Sequence, residues 1–143
     1  YAKGVFFGLE ETHDRQDLLQ SVFLGVALSV NDLIDIIESN GCRFDFPIVT
    51  TGGQASNEWF IQLKSDVTGK QFCTTQTHDA ELLGIVMVLA REMGHYPDLC
   101  TAWEHIVKTT KVFEPDKEKH GFYSELYGLY RELRATVSKY FSK

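Results

Sequence analysis

A glycine-rich stretch near the middle of the chain is the local sequence most suited to chemistry. Residues 50–57 read TTGGQASN and join a predicted strand to a predicted helix. Gly52 and Gly53 let a ligand approach the backbone closely, and the start of a helix offers unpaired N–H groups and a positive dipole end. Ser56 and Asn57 add side chains that donate and accept hydrogen bonds. These four residues are therefore the candidate binding residues.

A purely structural interpretation of this stretch stays open. On the pattern alone, a tight strand-to-helix turn with Ser56 as the helix cap is the favoured alternative. Known motifs add no support, because the chain contains no GxGxxG, GxSxG or HExxH sequence. Residues 68–71, TGKQ, are similar to the end of a P-loop, but Lys64 stands where such a loop has its first glycine and Gln71 replaces the metal-binding hydroxyl.

Neither the histidines nor the paired carboxylates indicate a catalytic or metal-binding site. No two of the five histidines stand four residues apart, which excludes a helical metal-binding pair, so surface or capping roles are expected. The acidic groups precede predicted helices, where negative side chains favour the helix dipole. We therefore predict no catalytic and no metal-binding residue in this chain. The side chains considered are His13, His78, His95, His105, His120, Glu10, Glu11, Asp14, Asp79 and Glu81.

The composition limits the classes of protein to which the chain can belong. With 43% hydrophobic and 24% charged residues among 143, the chain resembles an ordinary globular domain. A net charge of −6 has the wrong sign for neutralising phosphates, so no nucleic-acid partner is expected. Three scattered cysteines favour a reducing, cytoplasmic location. The longest apolar run, residues 21–30, is about half the length that spans a bilayer, so no membrane segment is expected.

Periodicity predicts alternating strands and helices in the first half of the chain. Residues 4–9, GVFFGL, are typical of an edge strand. Apolar residues at three- and four-residue steps over residues 18–37 predict a long helix with Asp14 or Asp17 as its cap. Residues 46–51 are predicted to form a buried strand that leads into the two glycines.

The second half is predicted to be mainly helical. The alternation of elements indicates an α/β fold with parallel strand pairing. Because parallel sheets are covered on both faces, four helices for about three strands suggest further strands in residues before Tyr1, so the chain is expected to be part of a longer protein. The predicted elements are a helix at 56–67, a strand at 70–75, helices at 79–93 and 97–109, a turn at 113–116 and a helix at 120–141.

Three stretches of the chain, taken together, resemble the C-terminal domain of the FGGY carbohydrate kinases. A glycine-flanked aromatic segment leads into a helix, a glycine-rich turn precedes the next helix, and an acidic-to-Leu-Gly helix follows. Their order and spacing agree with the family from residue 4 to about residue 98. The stretches are residues 4–9 with 17–23, residues 51–59 with Gln62, Asp66 and Gly69, and residues 79–84.

The resemblance implies a fold and an activity. It implies an α/β fold, part of an actin-like or ribonuclease-H-like ATPase domain with a small sheet flanked by helices, in which residues 1–143 form a single partial C-terminal domain. Such kinases transfer a phosphoryl group from ATP to a sugar hydroxyl, so the chain is expected to be their nucleotide-binding portion. By resemblance, Gly52 and Gly53 lie against the nucleotide, Asn57 lies near adenine, and Ser56 shapes the turn.

The same resemblance assigns the other parts of the active site to residues outside this chain. In such kinases the catalytic aspartate, the sugar-binding residues and the first phosphate-binding turns come earlier. An N-terminal kinase domain, a sugar substrate and magnesium are therefore implied for the intact enzyme, and the chain alone is expected to be inactive. Leu24 and Thr51 depart from the family pattern, which has an acidic residue and Gly or Asp at these positions.

A non-catalytic α/β interaction module is the alternative hypothesis. In that hypothesis the glycine turn is only structural. The apolar, tyrosine-rich last helix, with Phe122, Tyr123, Tyr127 and Tyr130 at helical spacing, then docks a partner.

Overall fold

A computed structural model describes residues 3–77 and 79–141, so that His78 and the two residues at each end lie outside it. Within that part, five α-helices, three strands and one 3₁₀ turn follow one another along the chain, as expected for an α/β fold. In chain order they are α1 Arg15–Ser39, β1 Ile48–Thr50, the 3₁₀ turn Gly52–Ser56, α2 Glu58–Thr68, β2 Phe72–Thr75, α3 Ala80–Glu92, α4 Leu99–Ile106, β3 Thr109–Phe113 and α5 Lys117–Ser138.

The three strands form one small mixed sheet in the order β1-β2-β3. β1 and β2 are parallel, with Val49 opposite Cys73 and Thr50 opposite Thr74. β3 runs antiparallel to β2 and places Val112 opposite Cys73. The predicted parallel pairing is thus confirmed for β1 and β2, while β3 is an antiparallel strand that the sequence analysis did not predict.

The region of β3 was expected to belong to a helix and a turn. The predicted helix over residues 97–109 ends three residues early, at Ile106, because Val107 is already extended. Thr109, Thr110 and Val112 are β-branched, which favours an extended backbone over a helix. Of β3 only Phe113 is buried, so the strand lacks the apolar alternation by which strands are recognised.

The strand predicted over residues 4–9 is wrong. This segment has no regular secondary structure and lies beside the first half of α1, where it forms one side of an open groove with Leu18 and Val22. Its large apolar side chains are exposed, with Phe7 78% accessible. A strand needs a hydrogen-bonding neighbour, and within the described residues this segment has none.

The start of α1 confirms the predicted cap. The Asp14 carboxylate accepts hydrogen bonds from the backbone N–H groups of Gln16 and Asp17, at 2.6 and 3.1 Å. The Asp17 carboxylate in turn accepts from the Asp14 N–H at 2.9 Å, which completes a capping box. Both predicted residues therefore take part, and they fix the first turn of the helix.

The core lies around α2, which contacts the sheet on one side and α1 and α5 on the others. The core consists of two clusters of buried apolar residues, and their removal from water is the main favourable contribution to folding. One cluster joins α1 to α2 through Ala27, Leu28, Phe60, Leu63 and Val67, with Phe23, Leu24, Tyr123, Tyr127 and Tyr130 packed against it. The other joins both helices to the sheet through Ile34, Ile61, Phe72 and Phe113.

By length and composition alone, α1 could cross a membrane, in contrast to the expectation from its apolar run. Core helices of soluble proteins pass the same test. Among the residues that α1 buries in this domain are Asn31 and Asp32, whose polar side chains need partners inside the protein. The packing of α1 against α2 favours a role within the domain.

A buried carboxylate on α2 positions the start of α5. Asp66 is only 3% exposed, and its Oδ1 accepts hydrogen bonds from Gln62 Nε2 at 2.8 Å and from the backbone N–H of Asp116 at 2.9 Å. The Asp66 carbonyl oxygen lies 3.1 Å from His120 Nδ1. Because Asp116 caps α5, these bonds join the start of α5 to the last turn of α2.

A second polar contact joins the middle of α5 to α1. The Tyr127 hydroxyl lies 2.8 Å from Asp32 Oδ1 and 2.7 Å from Asp35 Oδ2, so its single proton is shared between two carboxylates. Arg134 forms an ion pair with Asp32. Burial, followed by the hydrogen bond to Asp35, raises the pKa of Tyr127 to about 12.

Substituting Tyr127→Phe is expected to lower the free energy of unfolding at neutral pH by about 1.5–3 kcal/mol, the value of a hydrogen bond to a charged group. In the unfolded chain the tyrosine loses its proton near its ordinary pKa of 10, whereas in the folded state it keeps it to about 12. The wild-type advantage should be complete below pH 10 and disappear between pH 10 and 12. Urea unfolding of both proteins across this range measures it, and a constant difference would contradict the assignment.

Candidate functional site

The glycine-rich turn lies at one edge of the sheet. β1 ends at Thr50 and β2 ends at Thr75, and because the two strands are parallel, their carboxyl ends are adjacent. The 3₁₀ turn Gly52–Ser56 follows the first of these ends, and the segment that leads into α3 follows the second. In open α/β sheets, ligands bind in the crevice outside the carboxyl ends of the strands.

The two glycines leave the outer surface of the turn open. Gly52 has φ +69°, a left-handed conformation that L side chains rarely adopt. A Cβ atom built on Gly52 or Gly53 meets no other atom within 4 Å. Ala55 is buried and anchors the turn from beneath. The turn therefore presents bare, solvent-accessible backbone at the sheet edge.

Asn57, and not Ser56, provides the cap of the helix that follows the turn. Ser56 is the last residue of the 3₁₀ turn, and its hydroxyl donates to the Gly53 carbonyl at 2.9 Å. The cap of α2 is instead Asn57, whose Oδ1 accepts from the Phe60 N–H at 3.2 Å. The prediction of Ser56 as the helix cap is wrong because the 3₁₀ turn extends the loop by one residue. Within the described residues, Asn57 Nδ2 has no hydrogen-bond partner and remains an available donor.

The sequence analysis missed a lysine beneath this turn. Lys64 is 5% exposed, and its Nζ donates to Gln54 Oε1 at 3.2 Å. The ammonium also lies 4.9 Å from the centre of the Phe60 ring and 5.7 Å from that of Phe72. Burial lowers the pKa of Lys64 below its ordinary value. The available signal was its position four residues after Phe60, on the apolar side of the helix.

Other parts of the described chain do not form a comparable site. One concave surface lies between residues 4–9 and α1, and another lies along α3, beside Gly84 and Val88; neither includes the glycine turn. Among residues 3–77 and 79–141, no group of three or more His, Cys, Asp or Glu side chains could hold a metal ion. All three cysteines are free thiols.

Of the four histidines within the described residues, His95 is exposed and the other three have local side-chain contacts. His13 Nδ1 accepts from the Glu10 N–H at 2.9 Å, and His105 Nδ1 lies 2.8 Å from the Thr101 carbonyl. His120 contacts Asp66 as described above. These contacts agree with surface and capping roles, while the expectation for His78 lies outside the described residues.

Comparison with known proteins identifies the family of this chain. The sequence model for the C-terminal domain of the FGGY family of carbohydrate kinases matches residues 1–93. Xylulose kinase of Staphylococcus epidermidis is 26% identical over 131 residues, a match that covers 92% of this chain and 26% of that protein. The chain thus spans about a quarter of the length of the curated relative that it matches.

Solved structures share the fold. Xylulose kinase from Lactobacillus acidophilus superposes with a TM-score of 0.86 at 22% identity, over 96% of this chain and 28% of that one. Plasmodium falciparum glycerol kinase, solved with ADP, gives a TM-score of 0.73 at 18% identity, over 88% of this chain and 26% of that one. The fold is therefore that of the sugar kinases, and the match over residues 1–93 establishes that this chain belongs to the FGGY family of carbohydrate kinases.

Proposed function

We propose that this chain is the nucleotide-binding C-terminal portion of a kinase that transfers a phosphoryl group from ATP to a sugar hydroxyl. The observation that carries the proposal is the open backbone at Gly52 and Gly53, placed at the carboxyl end of β1. This turn lies within the part of the chain that matches the family. Residues 1–143 are proposed to form a single, partial C-terminal domain.

The geometry of the turn is suited to a flat base. With no side chain on either glycine, a purine can lie against the backbone at van der Waals distance. Asn57 Nδ2 is an amide donor of the kind that ring nitrogens of adenine accept, while its Oδ1 is held by the Phe60 N–H. Ser56 holds the turn through its bond to the Gly53 carbonyl. A relative of the same fold was solved with ADP.

The catalytic groups are proposed to come from other parts of the intact enzyme. Phosphoryl transfer depends on positioning and charge stabilisation, and here the chain contributes the positioning of the nucleotide. Among the described residues no group of three or more His, Cys, Asp or Glu side chains could hold a metal ion, and the magnesium of the intact enzyme is proposed to be bound with the participation of its other parts. The chain by itself is proposed to be inactive.

Exposed apolar surfaces support a packing partner within the intact enzyme, the N-terminal kinase domain. No residue of α3 is buried, and its apolar side chains Leu82, Ile85 and Leu89 are each more than half exposed. On α1, Leu19, Leu33 and Ile36 are exposed to a similar extent. Large exposed apolar side chains in this number support contact with further protein.

The alternative of a docking module is less favoured by the structure. Tyr123, Tyr127 and Tyr130 pack against the first core cluster. These tyrosines therefore contribute to the core of the domain, and of the four aromatic residues only Phe122, 65% exposed, is largely accessible to a partner.

The proposal is tested with the complete protein that contains this chain. ADP release from ATP is measured with xylulose, glycerol and further sugars and polyols as acceptors, and the isolated chain serves as the control. We expect acceptor-dependent ADP formation by the complete protein and none by the chain alone. Failure of the complete protein to bind ADP in a calorimetric titration would overturn the proposal.

A further inference from the structure

Lys64 has an unusual environment for a lysine. Its side chain lies inside the domain, and within the described residues its one hydrogen bond is to Gln54 Oε1 and no carboxylate lies within 4 Å. Contacts with the faces of Phe60 and Phe72 offset part of the cost of removing the ammonium from water. An apolar side chain of the same length would fill this space without that cost.

Gln54 is the residue of the turn that adjoins the open surface of the two glycines. It follows Gly53 directly and precedes the buried Ala55, so its backbone is held while its side chain extends to an exposed position. A glutamine side chain has several rotatable bonds and, when untied, samples many rotamers. Because the surface above Gly52 and Gly53 is empty, an untied Gln54 side chain has room to lie over it.

We propose that Lys64 is a positioning residue that holds the Gln54 side chain away from the open face of Gly52 and Gly53, and so keeps that face accessible to the adenine nucleotide. This inference rests on the proposed function. It explains why a charged side chain is kept at a buried position of α2. It also assigns a role to Gln54, the residue that directly follows the two glycines.

The test uses the complete kinase and the variant Lys64→Met, which has a side chain of similar length and no donor. We expect the Michaelis constant for ATP to rise about five- to tenfold, while kcat and the Michaelis constant for the sugar stay unchanged. The midpoint of thermal unfolding should stay the same or rise, because a buried charge has been removed. Gln54→Met, on the exposed side of the same contact, should raise the constant for ATP in the same way and is not expected to affect folding.

The double variant Lys64→Met with Gln54→Ala distinguishes this role from a merely structural one. Truncating the released side chain should restore the wild-type Michaelis constant for ATP, whereas a distorted turn would not recover. Lys70→Met is the matched control and should leave ATP binding unchanged. Lys70 follows the C-terminal end of α2 and pairs with Glu38 of α1, whereas the glycine turn precedes the N-terminal end of α2, a helix about 16 Å long.

Two outcomes would overturn the inference: an unchanged constant for ATP in both single variants, or no recovery in the double variant. A failure of the proposed function gives a different result. In that case Gly53→Val, which fills the open face directly, also leaves ATP binding unchanged.

Discussion

Replacing Gly53 with valine is expected to weaken ATP binding to the complete protein by about tenfold or more, equivalent to at least about 1.4 kcal/mol. The Cβ position of Gly53 has no neighbour within 4 Å, and its φ is not in the left-handed region. The valine side chain is thus accommodated in the folded domain and projects into the space assigned to the base. Calorimetric titration with ATP, together with the Michaelis constant for the sugar, measures the effect.

Selectivity is the decisive part of this result. The Michaelis constant for the sugar should change by less than about twofold, because the substitution removes contacts with one ligand only. Gly128→Val is the matched control, since Gly128 also has open space around its Cβ position but lies on α5, away from the sheet edge. Equal ATP affinities for wild-type protein and Gly53→Val would reject the placement of the nucleotide.

The parts of the fold that depend on local interactions were predictable from the sequence. Asp14 and Asp17 form the cap of α1 because both partners of a capping box lie within one turn. Asp79 caps α3 through one local bond from the Leu82 N–H, and Gly69 ends α2 in the left-handed conformation. The position of the glycine turn after β1 also follows from local pattern, and its openness is what the candidate site required.

Features that depend on distant partners were not predictable. Residues 4–9 have the composition of a strand, but pairing is decided by a neighbour that the described residues do not supply. β3 shows the reverse: its residues lack the apolar alternation of a strand, and it forms because β2 offers an unpaired edge. The contact between Lys64 and Gln54 joins residues on two elements, so no spacing rule reveals it.

The cap of α2 shows how small differences matter for site assignment. A serine or an asparagine is equally suited to the N-cap position, so composition could not decide between Ser56 and Asn57. The choice depends on the 3₁₀ turn, which takes Ser56 as its last residue. As a result the Asn57 oxygen is committed to the helix, and only its amide nitrogen is available to a ligand.

Gly69→Ala is expected to be the most destabilising of the substitutions considered for the described residues, at roughly 3 kcal/mol. Gly69 has φ +66°, where an alanine is strained, and its added Cβ would lie 2.7 Å from the His120 ring. The His120 ring, in the first turn of α5, cannot simply move away, because the Asp66 carbonyl of α2 holds its Nδ1. The substitution should therefore weaken the packing of α5 against the C-terminal end of α2. Urea unfolding followed by circular dichroism measures the loss.

Two further variants separate backbone strain from steric clash. Gly94→Ala places an alanine at φ +80° with no atom near its Cβ, so it should show strain alone, about 1–2 kcal/mol. In a His120→Ala background, Gly69→Ala should likewise fall to the cost of strain, because the clashing ring is absent. If Gly69→Ala costs no more than Gly94→Ala in the wild-type background, the His120 ring does not restrict this position, and the close packing of α5 on the end of α2 would need another explanation.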